Sequence, residues 1–351
     1  MCGTLSGGYG EFTNKIGQGG RKMEKKDEIL RLFSLKIRMM LSKLPVEYEL
    51  LQEMRLRTGK PLLFLYNNKE YFIEEMGGLK QETDKPYIVN EGEIREIMEY
   101  ISNYSLYAFE EEIRQGFITV RGGHRVGVAG KVVLEKDKIK TIKQIHFLNI
   151  RFAHEKKGCA DKVIEYLIEH SNEKYRENKY VKTKNENICH TLIISPPGCG
   201  KTTLLRDLIR QLSDGTKQRK GMTIGVVDER SELGASYMGI PQNDLGIRTD
   251  VLDCCPKVEG MMMLIRSMAP DVIAVDEIGS NADVEAIEKA VYCGCRLIGT
   301  VHGSSIEELQ EKPILKKLLE KQIFKRFIVL ENKGQVGMVK GIYDEKGVSL
   351  I

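Results

Sequence analysis

Apolar and polar positions follow two different rhythms along this chain. Between residues 25 and 44, apolar side chains recur at Ile29, Leu32, Phe33, Leu35, Ile37, Met40 and Leu41. That spacing predicts one amphipathic helix, ended by Pro45. Residues 53–57 then alternate charged and apolar, and residues 61–73 read as a hairpin turning at Asn67-Asn68. A second helical pattern covers residues 93–112, with Ile94, Ile97, Met98 and Ile101 on one side. Residues 116–134 read as β-structure turning at Gly122-Gly123, and Asn149-Ile150-Arg151 is placed to close the sheet. A helix is expected over 161–170 and a solvated, charged stretch over 173–187.

From Cys189 the rhythm changes. Short apolar runs at 191–194, 223–227, 272–275 and 297–301 alternate with helical patterns, as in a parallel sheet with crossover helices. Residues 327–330 and 336–343, separated by Asn332-Lys333-Gly334, predict a closing antiparallel hairpin. The fold class is therefore α/β, in two domains, which suits 351 residues.

Composition excludes more than it selects. Hydrophobic residues make up 41% and charged residues 30%, an ordinary globular balance. The net charge of +4 gives no prior for nucleic acid, and no basic-aromatic track is evident. No apolar run approaches the roughly 18 residues of a spanning helix. Residues 1–22 are polar and Gly-rich, lack a secretory signal, and are expected to be a mobile extension. None of the eight Cys forms a Cys-x-x-Cys pair, so buried or part-buried thiols in a reducing cytosol are expected.

The chemistry concentrates in Ser195-Pro196-Pro197-Gly198-Cys199-Gly200-Lys201-Thr202-Thr203, between an apolar strand and an amphipathic helix. This is the strand–loop–helix context of a phosphate-binding P-loop. Gly198 and Gly200 let successive N–H groups converge on one phosphate, and the helix terminus adds a positive dipole end. Lys201 is suited to the β- and γ-phosphates and Thr202 to Mg²⁺. Ser195 stands where the motif usually begins with Gly. The run 271–275 ends in Asp276-Glu277, at the strand end where α/β sheets bind ligands. Asp276 suits a Mg²⁺ contact through water, and Glu277 suits the base that polarises the attacking water. Asp228 and Glu229 end a neighbouring strand and are expected at the same edge, Glu229 positioning water or metal. Thr300 and His302 end another, where a polar group can report the γ-phosphate.

Residues 264–279 resemble the Walker B region of type II/IV secretion ATPases, residues 297–304 their histidine box, and 227–230 their aspartate box. Residues 195–207 and 227–232, with 53–57, 125–130, 148–151 and 157–161, resemble still more closely the stage III sporulation AA family of endospore-forming bacteria. That resemblance spans residues 24–351. It implies a RecA-like P-loop NTPase core over 189–351, a mixed α/β N-terminal domain over 23–155, and a linker with a helix over 156–188. It further implies ATP and Mg²⁺ as ligands and a homo-oligomeric, hexameric ring. The place implied is cytoplasmic, peripheral to the mother-cell side of the engulfing membrane, with membrane-embedded components of the sporulation channel as partners. Asp276 departs from the secretion ATPases, which usually carry Gly there. Two other readings stay open, a nucleic-acid-stimulated motor and a non-hydrolysing scaffold. An arginine finger is expected from a neighbouring domain or subunit, the candidates being Arg121, Arg125, Arg230, Arg248 and Arg266.

Overall fold

The N-terminal helical pattern divides into two pieces, α1 (Lys25–Leu30) and α2 (Leu35–Ser42), rather than the single helix its periodicity predicts. Arg38 explains the break: its guanidinium donates from Nε to the Leu30 carbonyl and from Nη2 to that of Phe33, both at 3.0 Å. Those carbonyls would otherwise need a continuing helix. Ile29, Phe33 and Ile37 stay buried on both sides of the break, which is why periodicity cannot see it. This computed structural model describes residues 25–105, 109–169, 187–217, 219–332 and 337–351, so the extension expected at 1–22 lies outside the described residues.

Strands β1 (Leu51–Arg57), β2 (Leu63–Tyr66), β3 (Lys69–Ile73) and β4 (Leu79–Lys80) follow. Asn67 and Asn68, both with positive φ (47° and 60°), make the expected β2–β3 turn. The pattern over 93–112 also divides, into α3 (Glu91–Ile101) and α4 (Glu110–Gln115). An Asn90–Glu93 capping box starts α3, and left-handed Asn103 and Tyr104 interrupt the helix after it. Then β5 (Phe117–Val120), β6 (His124–Glu135) and β7 (Lys138–Arg151) complete an antiparallel sheet in the order β4-β3-β2-β1-β7-β6-β5. His124, fully buried at the start of β6, accepts the Ala153 N–H at Nδ1 (3.0 Å) and faces Glu28 of α1 from Nε2 at 2.9 Å.

At the junction, the helix expected over 161–170 is reduced to one short 3₁₀ turn, Ile164–Leu167. The chain before it is held sideways, since the Ala160 N–H is captured by Asp207 Oδ2 at 2.9 Å. The charged stretch expected over 173–187 lies outside the described residues except Asn187.

The C-terminal domain comprises β8 (Thr191–Ser195), α5 (Lys201–Asp214), β9 (Ile224–Asp228), β10 (Thr249–Asp253), α6 (Lys257–Met268), β11 (Val272–Val275), α7 (Asn281–Tyr292), β12 (Arg296–His302), α8 (Ile306–Glu311), α9 (Pro313–Glu320), β13 (Arg326–Leu330) and β14 (Val339–Asp344). Its sheet runs β10-β9-β11-β12-β8-β13-β14, parallel except for the β13–β14 hairpin at one edge. The hairpin's expected turn at 332–334 falls mostly outside the described residues. Side chains of α5 pack on one face with Ile193, Val226, Ala274 and Ile298, and those of α6 and α7 on the other with Ile194, Val227, Ile273 and Leu297. Burial on both faces is what turns the central strands into unbroken apolar runs. Edge strand β10 has no fully buried residue, so it carried no such run and went unpredicted.

Among the described residues no helix is long and apolar enough to cross a membrane. The seven described cysteines are free, but Cys254 and Cys293 are exposed, which corrects the expectation of buried or part-buried thiols throughout.

The Glu28–His124 contact sets a pH signature. Burial works against the Glu28 carboxylate, yet the His124 ring nitrogen 2.9 Å away and the hydrogen-bonded Lys25 ammonium outweigh it and hold its pKa down to about 2, against 4.5 ordinarily. A lowered folded-state pKa stabilises the fold above the unfolded value and loses that effect on acidification. Denaturation of Glu28→Gln is expected to show a stability deficit that is full above pH 4.5 and shrinks as pH falls toward about 2. A deficit constant across that range contradicts the assignment.

Candidate active site

The phosphate loop is shaped by two left-handed glycines, Gly198 (φ +75°) and Gly200 (φ +94°), the latter the N-cap of α5. A Cβ at Gly198 would meet no atom within 4 Å, so backbone conformation, not crowding, calls for glycine there. No side chain caps α5, so its first-turn N–H groups face outward for an anion. Ser195, at the usual first-glycine position, is the last residue of β8 and is absent from the left-handed set. Its hydroxyl donates to the Pro196 carbonyl at 2.8 Å, and its own carbonyl accepts the Gly303 N–H at 3.2 Å. An extended position needs no glycine, which accounts for the substitution. Pro196 and Pro197 lead into buried Cys199, whose carbonyl accepts the Gly337 N–H at 2.8 Å. Thr203, one residue past Thr202, offers its carbonyl to the Cys159 thiol.

Opposite this loop, at the carboxyl end of β11, Asp276 collects three partners. Lys201 Nζ lies 3.2 Å from Oδ1, the Thr202 hydroxyl donates to Oδ2 at 2.8 Å, and the Thr300 hydroxyl donates to Oδ1. Burial favours the neutral acid, but the Lys201 ammonium and the two hydroxyls outweigh it and hold Asp276 below the usual carboxylate range. Asp276 and Thr202 present a carboxylate and a hydroxyl side by side, the hard-oxygen set Mg²⁺ takes.

Glu277 follows in a left-handed conformation, φ +54°, rare for a residue with a Cβ and typical of sites under functional constraint. Its N–H donates to Thr300 Oγ1 at 2.9 Å, and the next N–H, of Ile278, to the Thr300 carbonyl at 2.8 Å. Its carboxylate accepts Arg230 Nη1 at 2.7 Å and stands 3.5 Å from His302 Nε2. Thus Lys201, Thr202, Asp276, Glu277, Thr300, His302 and Arg230 form one connected cluster.

Other predicted residues lie elsewhere. Glu229 pairs with Lys257 at the start of α6. Asp228, expected at the exposed strand edge, is instead turned inward: its carboxylate accepts the N–H groups of Glu232 and Gly234, both at 2.8 Å. Burial raises its pKa to about 6 even against those backbone donors. Arg125 is occupied within the chain, 3.3 Å from Glu232 and stacked 3.6 Å over the Phe117 ring. Arg248 donates to the Ser213 and Asp214 carbonyls at the last turn of α5, the end away from the P-loop. Arg266 is exposed in the last turn of α6, and Arg121 is exposed beside Gly122.

Arg206 is the residue that sequence reasoning missed. From α5 it donates to the Leu233 carbonyl (3.0 Å) and the Glu232 carbonyl (2.8 Å), pinning the loop after β9 to the P-loop helix. Its place one turn after Thr202 was the available signal; the backbone it meets is not legible from sequence.

A parallel sheet with a P-loop between its β8 and α5 defines a P-loop NTPase with a RecA-like core. Residues 23–350 match the family model described as sporulation stage III, protein AA, and the chain belongs to that family. It is 38% identical to stage III sporulation protein AA of Bacillus subtilis over 322 residues, 92% of this chain and 96% of the relative. Among solved structures, the ATPase DotB of Yersinia pseudotuberculosis superposes with a TM-score of 0.53 at 13% identity, covering 85% of this chain and 75% of that one. The pilus retraction motor PilT with bound ADP gives 0.50 at 16% identity, covering 84% and 76%. At such identities the likeness is one of fold.

Thr300 is buried and serves both acids, so Thr300→Val strands the Glu277 N–H and removes a donor from Asp276. A loss of about 1–3 kcal/mol is expected in chemical denaturation; a neutral effect contradicts the bridging role.

Proposed function

We propose that this chain is a Mg²⁺-dependent ATPase and the motor of a sporulation channel between mother cell and forespore. The observation that carries the reading is the contact of P-loop Lys201 and Thr202 with Asp276, beside Glu277. The uncapped N–H groups of α5 take phosphate oxygens, and Lys201 moves from Asp276 to the β- and γ-phosphates. Thr202, and Asp276 through water, would hold Mg²⁺, which would supply neutralisation of phosphate charge. Glu277 accepts the proton of the attacking water, and Thr300 fixes its backbone during that transfer. His302, next to Glu277, is placed to meet the terminal phosphate. The sporulation family of the chain, and a fold shared with the ATPase DotB and the pilus retraction motor PilT, support a force-generating role. In that role the chain works as a hexameric ring, from the mother-cell cytoplasm, against membrane-embedded partners.

Phosphate-release and nucleotide-binding assays test this. Lys201→Ala is expected to lose ATP affinity by at least about tenfold, since it removes the cation that reaches the phosphates. Glu277→Gln is expected to bind ATP normally and hydrolyse it about 100-fold more slowly. Undiminished affinity in the first variant, or full turnover in the second, overturns the assignment. Acceleration by single-stranded DNA would favour a nucleic-acid motor instead.

A further inference from the structure

We propose that Arg230 is a positioning residue for Glu277 within the same chain, holding the carboxylate in the orientation that receives the proton of water. The inference deepens the ATPase reading and rests on Glu277 being the base. The backbone of Glu277 is tied to β12 through Thr300, but its side chain is 29% exposed and otherwise free to rotate. One oxygen is held: Oε2 accepts Arg230 Nη1 at 2.7 Å, while Oε1 stands 3.5 Å from His302 Nε2, beyond a good hydrogen bond. A base must be kept in a narrow range of angles to act, and the Arg230 hydrogen bond supplies that restraint. The Arg230 side chain is 61% exposed, so the pair adds little to stability; orientation is the work left for it.

Arg230 is itself set in place from the phosphate loop. Ser231, the next residue, is left-handed (φ +52°), and Asp228 gathers the N–H groups of Glu232 and Gly234. Arg206 of α5 grips the Glu232 and Leu233 carbonyls. The helix that begins with Lys201 therefore fixes the loop that carries Arg230, and Arg230 holds the base. This gives Arg230 a role within its own chain, in place of a finger reaching into a neighbour's site.

The test uses the full chain with Arg230→Ala and Arg230→Lys, reading kcat, KM, affinity for a non-hydrolysable ATP analogue and thermal midpoint. Arg230→Ala is expected to lower kcat about tenfold through misorientation of the base. KM and analogue affinity should stay within about twofold, and the thermal midpoint should not move. Arg230→Lys should recover part of kcat, because it restores the charge without the guanidinium fork. An unchanged or raised kcat in Arg230→Ala, a loss confined to KM, or recovery of activity on mixing Arg230→Ala with Lys201→Ala overturns the proposal. Full activity of Glu277→Gln removes the base on which the proposal rests and overturns it, whereas no phosphate release by the unmodified chain sinks the ATPase reading itself; both are seen independently of Arg230.

Discussion

A carboxylate half-buried at a strand end is costly to leave without partners, and Asp276 organises the C-terminal domain around that constraint. It draws Lys201 and Thr202 from the start of α5 and Thr300 from β12. Three elements distant in sequence are thereby held at one point, the carboxyl edge of β8, β11 and β12. The charges close within the site: Lys201 rests on Asp276 and Arg230 on Glu277. A nucleotide offering phosphates to Lys201 replaces one ion pair with another, and Asp276 keeps the Thr300 hydroxyl when Lys201 leaves.

The loop after β9 extends this arrangement to the N-terminal domain. Asp228 anchors it from within, and Arg206 from the P-loop helix. The N-terminal domain meets the same stretch from outside, through Arg125 to Glu232, the Gly122 N–H to Gln242 Oε1 at 3.0 Å, and Phe109 stacked on Tyr237. Gly123 belongs to this contact, since a Cβ there would come within 3.1 Å of the Ala235 side chain. The N-terminal domain thus touches a segment that also meets α5 and carries Arg230.

The parts of this arrangement that could be read beforehand are those with local causes. The P-loop needs glycines at two left-handed positions, and the central strands are apolar because both faces are covered. Asp276 and Glu277 follow such a strand directly, so their edge was legible. The breaks at 31–34 and after Ile101 were not, because they depend on Arg38 reaching back to carbonyls and on two left-handed residues within an unbroken apolar pattern. Strand β10 lacks buried apolar positions, and the inward turn of Asp228 answers to backbone donors four and six residues ahead. Arg125 and Arg248 looked available as fingers in sequence, but neighbouring carboxylates and helix-end carbonyls engage them once the chain folds.

The most direct test of the central role of Asp276 is calorimetric titration of ATP into the unmodified chain and Asp276→Asn, with Mg²⁺ and with excess chelator. Far-UV circular dichroism would confirm that the variant is folded. The unmodified chain is expected to bind ATP more tightly with Mg²⁺ than without. The variant should lose that difference, because Thr202 alone is a poor holder of the ion. Full retention of Mg²⁺ dependence by Asp276→Asn would contradict the account.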